Sequence, residues 1–435
     1  MKRVLLPCLA LLCALLSACS DPTTAAGAGP APTPVADPAA RLDGVHLTFW
    51  TAQNSVNQPK PAIEAFAKAT GAVIDTVVIP DPYESNVPTR LASGEKPDLL
   101  FWQPTGSTLP AIRPAANLLT LDDEPWVGKL GKIEQGLGVI DGKRYAAIVS
   151  SPAVLGVYYN KAVFAKAGIT EMPKSYPDLL AKAQQIKDKT GVPPFFEVGG
   201  DKWPLQWQVQ VQLTGLDQSF WDKLNSNQEK WTNPTVVQAI ADYKQKVLDA
   251  GLAQPNYRTG TFTDQGLDLF AGKAAMALNV TSLQTQIQAG HSSKEIDDTL
   301  GWFPIAKDAA KALYSPDQTN GVVAFRTGDE KRQNASRQFL AYLLGPGYAD
   351  YIKAMKFVSV RTDVPNPDGL PQTAVDQWKA LPDAIGVFQV KAINAPDMHL
   401  ALADMIYDKK TPQEVAQAAQ DQFAQVAKAQ GAAGF

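Results

Sequence analysis

Val45-His46-Leu47-Thr48-Phe49-Trp50 alternates β-forming residues and runs into the polar stretch Thr51-Ala52-Gln53-Asn54-Ser55. A helical pattern follows, with Pro61 near its start, Ile63, Phe66 and Ala67 on one face, and Gly71 after its end. Ala72 to Ile79 reads as a second strand and Asp81 to Leu91 as a second helix. Pro97-Asp98-Leu99-Leu100-Phe101-Trp102 is a third strand, again closed by a polar, Gly-containing loop. Strands separated by helices need crossover connections, so this order predicts a mainly parallel sheet.

The pattern restarts near Tyr145. Val154 to Asn160 reads as a strand, and Lys161 to Ala167 as a short helix ended by Gly168. Ser175 is placed to cap a helix running to about Lys189 before Gly191. Phe195 to Val198 predicts a short strand, and helices are expected at Trp203 to Leu213, Pro234 to Ala250 and Phe262 to Ala271. Ala274 to Leu278 and Gly321 to Phe325 return as strands; beyond Lys331 the chain reads as mostly helical, including Pro412 to Ala429. The expected architecture is α/β, with two lobes rather than one continuous sheet.

The N-terminus belongs to neither lobe. Lys2 and Arg3 precede an apolar run from Val4 to Leu16, then Ser17-Ala18-Cys19. A basic start, a short apolar core and small residues make a secretory signal, too short for a membrane span of about 20 residues. Leu16-Ser17-Ala18-Cys19 resembles a bacterial lipobox, in which cleavage frees Cys19 for acylation; the plainer alternative is an ordinary signal with an incidental cysteine. With Cys8 and Cys13 removed, no pair remains for a disulfide or a thiolate metal site. Residues Ser20 to about Ala40 are Pro, Ala, Thr, Gly and Asp, with little to pack, and read as a tether. The expected division is signal 1–18, anchored tether 19–41, one lobe from 42–150 with 319–358, and another from 151–318 with 359–435.

Composition narrows the chemistry. The 435 residues are 45% hydrophobic with a net charge of −3, which offers no bulk attraction to nucleic acid or anionic lipid. There is no H-E-x-x-H, C-x-x-C or G-x-S-x-G, and the three histidines lie in unrelated contexts. No catalytic residue, metal or cofactor is expected.

Aromatics at strand ends remain. In open α/β sheets ligands sit outside the carboxyl ends of strands, where Trp50 and Trp102 are expected. With Gln53, Asn54, Gln103 and Thr105 beside them, they would offer apolar faces ringed by hydrogen-bonding groups, which suits a sugar. The alternative is that each indole covers a sheet edge. Trp203 and Trp207 share a helical face after Gly199-Gly200-Asp201, as cleft or as core. Asn279 and Ser282 follow a strand, Asn279 towards ligand and Ser282 as a helix cap or second contact. Asn320, just before the Gly321–Phe325 strand, and Asp201 complete the candidate ligand contacts.

Several of these segments, in their order, resemble one family. Leu47-Thr48-Phe49-Trp50 with Phe66 and Gly71 is similar to its first βα unit, and Gly94-Glu95-Lys96-Pro97-Asp98 to its next strand entry. Asp141-Gly142-Lys143-Arg144-Tyr145, then Tyr158-Tyr159-Asn160-Lys161 with Phe164 and Ala167-Gly168, is the most specific piece. Phe270 to Met276 and Gly301-Trp302-Phe303-Pro304 follow. The chain looks like a lipid-anchored solute-binding protein of an ABC importer, of the family that includes maltose-binding and other sugar-binding proteins. The resemblance implies a two-lobed periplasmic-binding-protein-like fold closing on solute in a cleft. It also implies a Trp102 that faces the cleft and ABC permease subunits as partners. Gln53-Asn54 and Thr105-Gly106 stand where maltose-binding proteins place sugar contacts, but without their charged residues. The expected protein is a monomer held to the membrane by its lipid alone, and its ligand a mono- or oligosaccharide. A peptide, polyol or polyamine ligand on the same fold, or a secreted glycan hydrolase, are the alternatives.

Overall fold

The computed structural model describes residues 34–80, 82–316 and 320–435. The expected signal, the lipidation site Cys19 and the tether up to residue 33 lie outside the described residues. The body begins before residue 42, however. The Gln338 amide donates to the carbonyls of Pro38 and Ala40, and Leu42 N donates to Thr70 O, so the last residues of the expected tether are held on the body.

The first sheet has the strand order Val73–Ile79, His46–Ala52, Leu99–Trp102, Gly321–Ala324, Ala146–Ile148. The first three are parallel, with Trp50 in register with Val77 and Leu100. Gly321–Ala324 runs antiparallel to both its neighbours. The expectation of a mainly parallel sheet therefore holds for the three N-terminal strands and fails beyond them. Gly321–Ala324 enters from the other body, not through a helical crossover, so nothing obliges it to run parallel. Helices Lys60–Thr70 and Glu330–Leu343 cover this sheet, and Phe49, Phe66, Phe101 and Phe339 meet edge to face at 5.0–6.1 Å in its core.

The second sheet is built on the long strand Ala153–Asn160. It pairs antiparallel with Leu313–Ser315, Met276–Asn279 and Leu300–Phe303, while Ile385–Gly386 extends the Leu313–Ser315 edge. Its core contains Trp221, Trp231, Phe388 and Phe423. Local signals set the helix ends. Ser175 accepts from Asp178 N ahead of Tyr176–Thr190, which Gly191 ends in the left-handed region. Thr411 and Glu414 form a reciprocal capping box for Pro412–Ala429.

Phe195–Val198 is not a strand; only single bridges from Phe195 to Ala253 and to Met276 form. The reason is competition from a distant side chain. Gln254 takes over the backbone of Glu197, accepting from its N–H at 2.8 Å and donating to its carbonyl at 2.7 Å.

Among the described residues, the chain passes between the two bodies at 148–153 and between Val364 and Gly369, and Ser315 and Asn320 also stand in different bodies. Val360 and Val364 still pack on the first core, and Gly131 N donates to Val360 O; Gly369 O instead accepts from Ser293 of the second body. Residues 359–364, expected in the second lobe, thus go with the first. Asn320 binds two crossings side by side, donating to Ser151 O at 2.6 Å and Ser150 Oγ at 3.3 Å. Among the described residues, no helix is long and apolar enough to cross a membrane.

Candidate functional site

The loop after the Leu99–Trp102 strand folds back on itself. Thr105 Oγ1 meets Ser107 Oγ at 3.0 Å and Thr108 Oγ1 at 2.8 Å, and Thr108 Oγ1 donates to Gln103 O at 2.7 Å. This fold places Thr108 O at the edge of the Trp102 indole, whose N–H donates to it at 3.0 Å. Trp102 is consequently 2% exposed, packed against Tyr83 within the first core. Trp50 fares alike. Its strand runs on to Ala52, its residue is 5% exposed, and the Arg90 guanidinium lies 5.9 Å from its ring centroid. In this structure neither indole offers an open face, which corrects the expectation of a twin stacking platform at the strand ends.

The loop does something else: it reaches the second body. Ser107 Oγ donates to Gln389 O at 2.6 Å. Gln389 sits in the short helix Phe388–Lys391, beside the run Gln206–Gln212. The Gln389 amide donates to Gln206 Oε1 at 2.7 Å and accepts from Gln210 Nε2 at 2.7 Å, while Gln210 Oε1 accepts from Phe388 N. Gln206 in turn donates to Trp203 O at 2.9 Å. A continuous path of neutral hydrogen bonds thus joins Trp203 in one body to Ser107 in the other. Gln206, Gln210, Gln389 and Ser107 were not expected from the sequence. The available signal was an alternating glutamine run, the period of a half-buried strand, inside a segment that forms a helix buried all round.

The remaining candidates divide. Asn320 lies between the bodies, as described. Trp203 is half-buried, at 6.0 Å and 81° from Trp207 and 5.4 Å from Phe262, so the expected Trp203–Trp207 pair does form. Gln53 is exposed in the turn Gln53–Ser55; the expectation for the Asn54 side chain lies outside what is described. Gln103 is half-buried and donates to Glu84 Oε1 at 3.4 Å. Asp201 is exposed but engaged, its carboxylate accepting from Phe262 N at 2.6 Å.

Two expectations fail in the second body. Asn279 is fully buried and used internally, donating to Gln265 Oε1 and accepting from Val280 N, where an exposed contact was expected. Ser282 does not cap its helix; Val280 is the cap residue, and the Ser282 hydroxyl is buried without a partner among the described residues. Thr281 Oγ1 instead accepts from Val154 N, tying the helix to the central strand.

One ionisable group lies behind the glutamine run. Glu197 is 5% exposed, accepting from Gln208 Nε2 at 2.7 Å and Tyr243 OH at 2.9 Å, while Tyr176 OH donates to Gln208 Oε1. Burial without a cation pushes its pKa up to about 6, although both hydrogen bonds oppose the shift.

Comparison with known proteins agrees with this architecture. A family model described as bacterial extracellular solute-binding protein matches residues 52–350. An uncharacterised ABC transporter extracellular-binding protein of Pyrococcus horikoshii is 27% identical over 171 residues, 38% of this chain and 37% of that protein. The diacetylchitobiose-binding protein DasA of Streptomyces coelicolor is 25% identical over 322 residues, 70% of each chain. The chain spans under half the length of the first curated relatives it matches, 37% and 46%. Among solved structures, a chitin oligosaccharide binding protein superposes with a TM-score of 0.73 at 18% identity, covering 88% of this chain and 99% of the other, a likeness that speaks for the fold.

Proposed function

The chain belongs to the bacterial extracellular solute-binding proteins, and from that premise we propose that it captures a saccharide between its two bodies and delivers it to an ABC permease. The observation that carries this reading is the neutral hydrogen-bonded path from Ser107 through Gln389 and Gln206 to Trp203. A ligand that touches both bodies stabilises their closed arrangement by its differential contacts, and the chain crossings between them supply a hinge. Uncharged amides and hydroxyls beside a half-buried indole suit hydroxyl-rich, uncharged ligands with apolar C–H faces. The relatives named for diacetylchitobiose and chitin oligosaccharides point the same way.

On this reading the protein acts by binding, not by catalysis. It works outside the cytoplasmic membrane, anchored through Cys19 and tethered by the residues that follow, as a monomer with lobes divided near residues 150, 319 and 364. Calorimetric titration against chitin oligosaccharides, other oligosaccharides, monosaccharides, peptides and polyamines tests it. A saccharide binding with one-to-one stoichiometry is the expected result. Binding of a peptide or polyamine alone would replace the ligand class, and release of reducing ends from a glycan would replace the function. Mass spectrometry of membrane-extracted protein should find an acylated N-terminal Cys19; a free Ser20 terminus would refute the anchor.

A further inference from the structure

Trp203 is the half-buried member of the tryptophans considered for ligand stacking, since Trp50 and Trp102 are covered. Its backbone is set by an uncommon device. Lys202 adopts φ 67° and ψ −51°, and Trp203 N donates to Asp201 O at 2.7 Å, closing a three-residue γ-turn of the strained, positive-φ kind. Such a conformation persists only where its surroundings over-determine it, and it is concentrated at functional positions.

The surroundings are visible. Lys202 N donates to Val198 O at 3.1 Å. A Cβ on Gly199 would come within 2.4 Å of Tyr257 O, so this loop lies directly against the segment leading to the helix Phe262–Phe270. That helix has its own capping box from Thr261 and Asp264, which leaves the first helical N–H, that of Phe262, to an outside acceptor. Asp201 supplies it at 2.6 Å. The same helix start brings the Phe262 ring to 5.4 Å from Trp203. One carboxylate therefore joins the strained turn to the ring that backs the indole.

We propose that Asp201 does not contact ligand but is a positioning residue, which fixes Trp203 as the stacking platform of the second body. This rests on the saccharide reading above. A negative group at a helix N-terminus is also favoured by the helix dipole, so the contact stabilises the helix start and the indole placement together.

A double-mutant cycle tests it on the intact protein, with the saccharide found by titration. Asp201→Ala should weaken binding roughly five-fold, the scale of a lost helix-terminal hydrogen bond. Asp201→Asn, whose amide oxygen still accepts from Phe262 N, should return the affinity. Once Trp203→Ala has removed the platform, adding Asp201→Ala should cost nothing further. Additive losses, or failure of Asn to rescue, would overturn the proposal. A ligand-free arm separates this from the functional reading. In 5-fluorotryptophan-labelled protein, the Trp203 fluorine resonance, assigned by its loss in Trp203→Phe, should shift or broaden in Asp201→Ala and return in Asp201→Asn. An unmoved resonance would overturn the proposal even if a saccharide binds. If no saccharide binds, the functional reading falls while the resonance still decides whether Asp201 positions Trp203.

Discussion

The Ser107 hydroxyl donates to the backbone carbonyl of Gln389 at 2.6 Å, joining residues 282 positions apart and belonging to different bodies. Both partners are pre-set. Thr105 holds Ser107 from within its own loop, and Gln206 and Gln210 hold the Gln389 side chain from two directions. The contact is a single neutral hydrogen bond, worth about 1 kcal/mol net. It therefore biases closure without locking it.

Ser107→Ala should leave the thermal midpoint of each body nearly unchanged and raise the ligand dissociation rate about five-fold, by roughly 1 kcal/mol lost from the closed state. Stopped-flow fluorescence measures it. An unchanged dissociation rate would remove the contact from the closing mechanism.

Gln389→Ala should act more strongly. It removes the two shorter bonds of a buried amide triangle and leaves Gln206 Oε1 and Gln210 Nε2 only the 3.3 Å bond between them, at a cost of about 1–2 kcal/mol. Gln389→Glu, which cannot donate to Gln206, should be as harmful. Calorimetric affinity and melting temperature together report whether the loss falls on binding or on the fold.

Trp102→Ala should destabilise the protein by about 3–5 kcal/mol, because it empties a packed core position and not an open ligand face. The readout is chemical denaturation. An intact unfolding transition with lost saccharide binding would return Trp102 to the ligand.

Glu197 makes stability depend on pH. Its carboxyl is raised from the ordinary 4.5 to about 6 by burial, so the folded state holds the proton more tightly than the unfolded one. Its contribution to stability is therefore present at acid pH and is lost as pH rises from about 4.5 through about 6, amounting to roughly 2 kcal/mol. Glu197→Gln should be more stable than wild type at pH 7.5 by about that amount, with the advantage gone at pH 4.5. Denaturant titrations at the two values decide it; equal stability differences at both would contradict the account.

Where the sequence was readable, local rules were enough. Ser175 with Gly191 marks its helix ends within a residue or two, because capping is settled by neighbours in the chain. The strand ends were harder. Trp102 stands where a ligand face was expected, yet whether it faces out depends on the path of residues 103–108, where Thr108 O takes up its indole N–H and the residue ends buried. Phe195–Val198 has strand-forming residues, but the competing amide comes from Gln254, more than fifty positions away. The cross-body path was illegible for the same reason: nothing in Gln206 or Gln210 announces Gln389. The antiparallel return of Gly321–Ala324 likewise follows from the chain having visited another body first.

A saccharide held between the two bodies should draw them together. Small-angle X-ray scattering of the purified protein, titrated with the saccharide found by calorimetry, tests it most directly. Closure on ligand gives a smaller radius of gyration at saturation, with a midpoint matching the calorimetric affinity. A radius of gyration unchanged at saturating saccharide would rule out closure on the ligand.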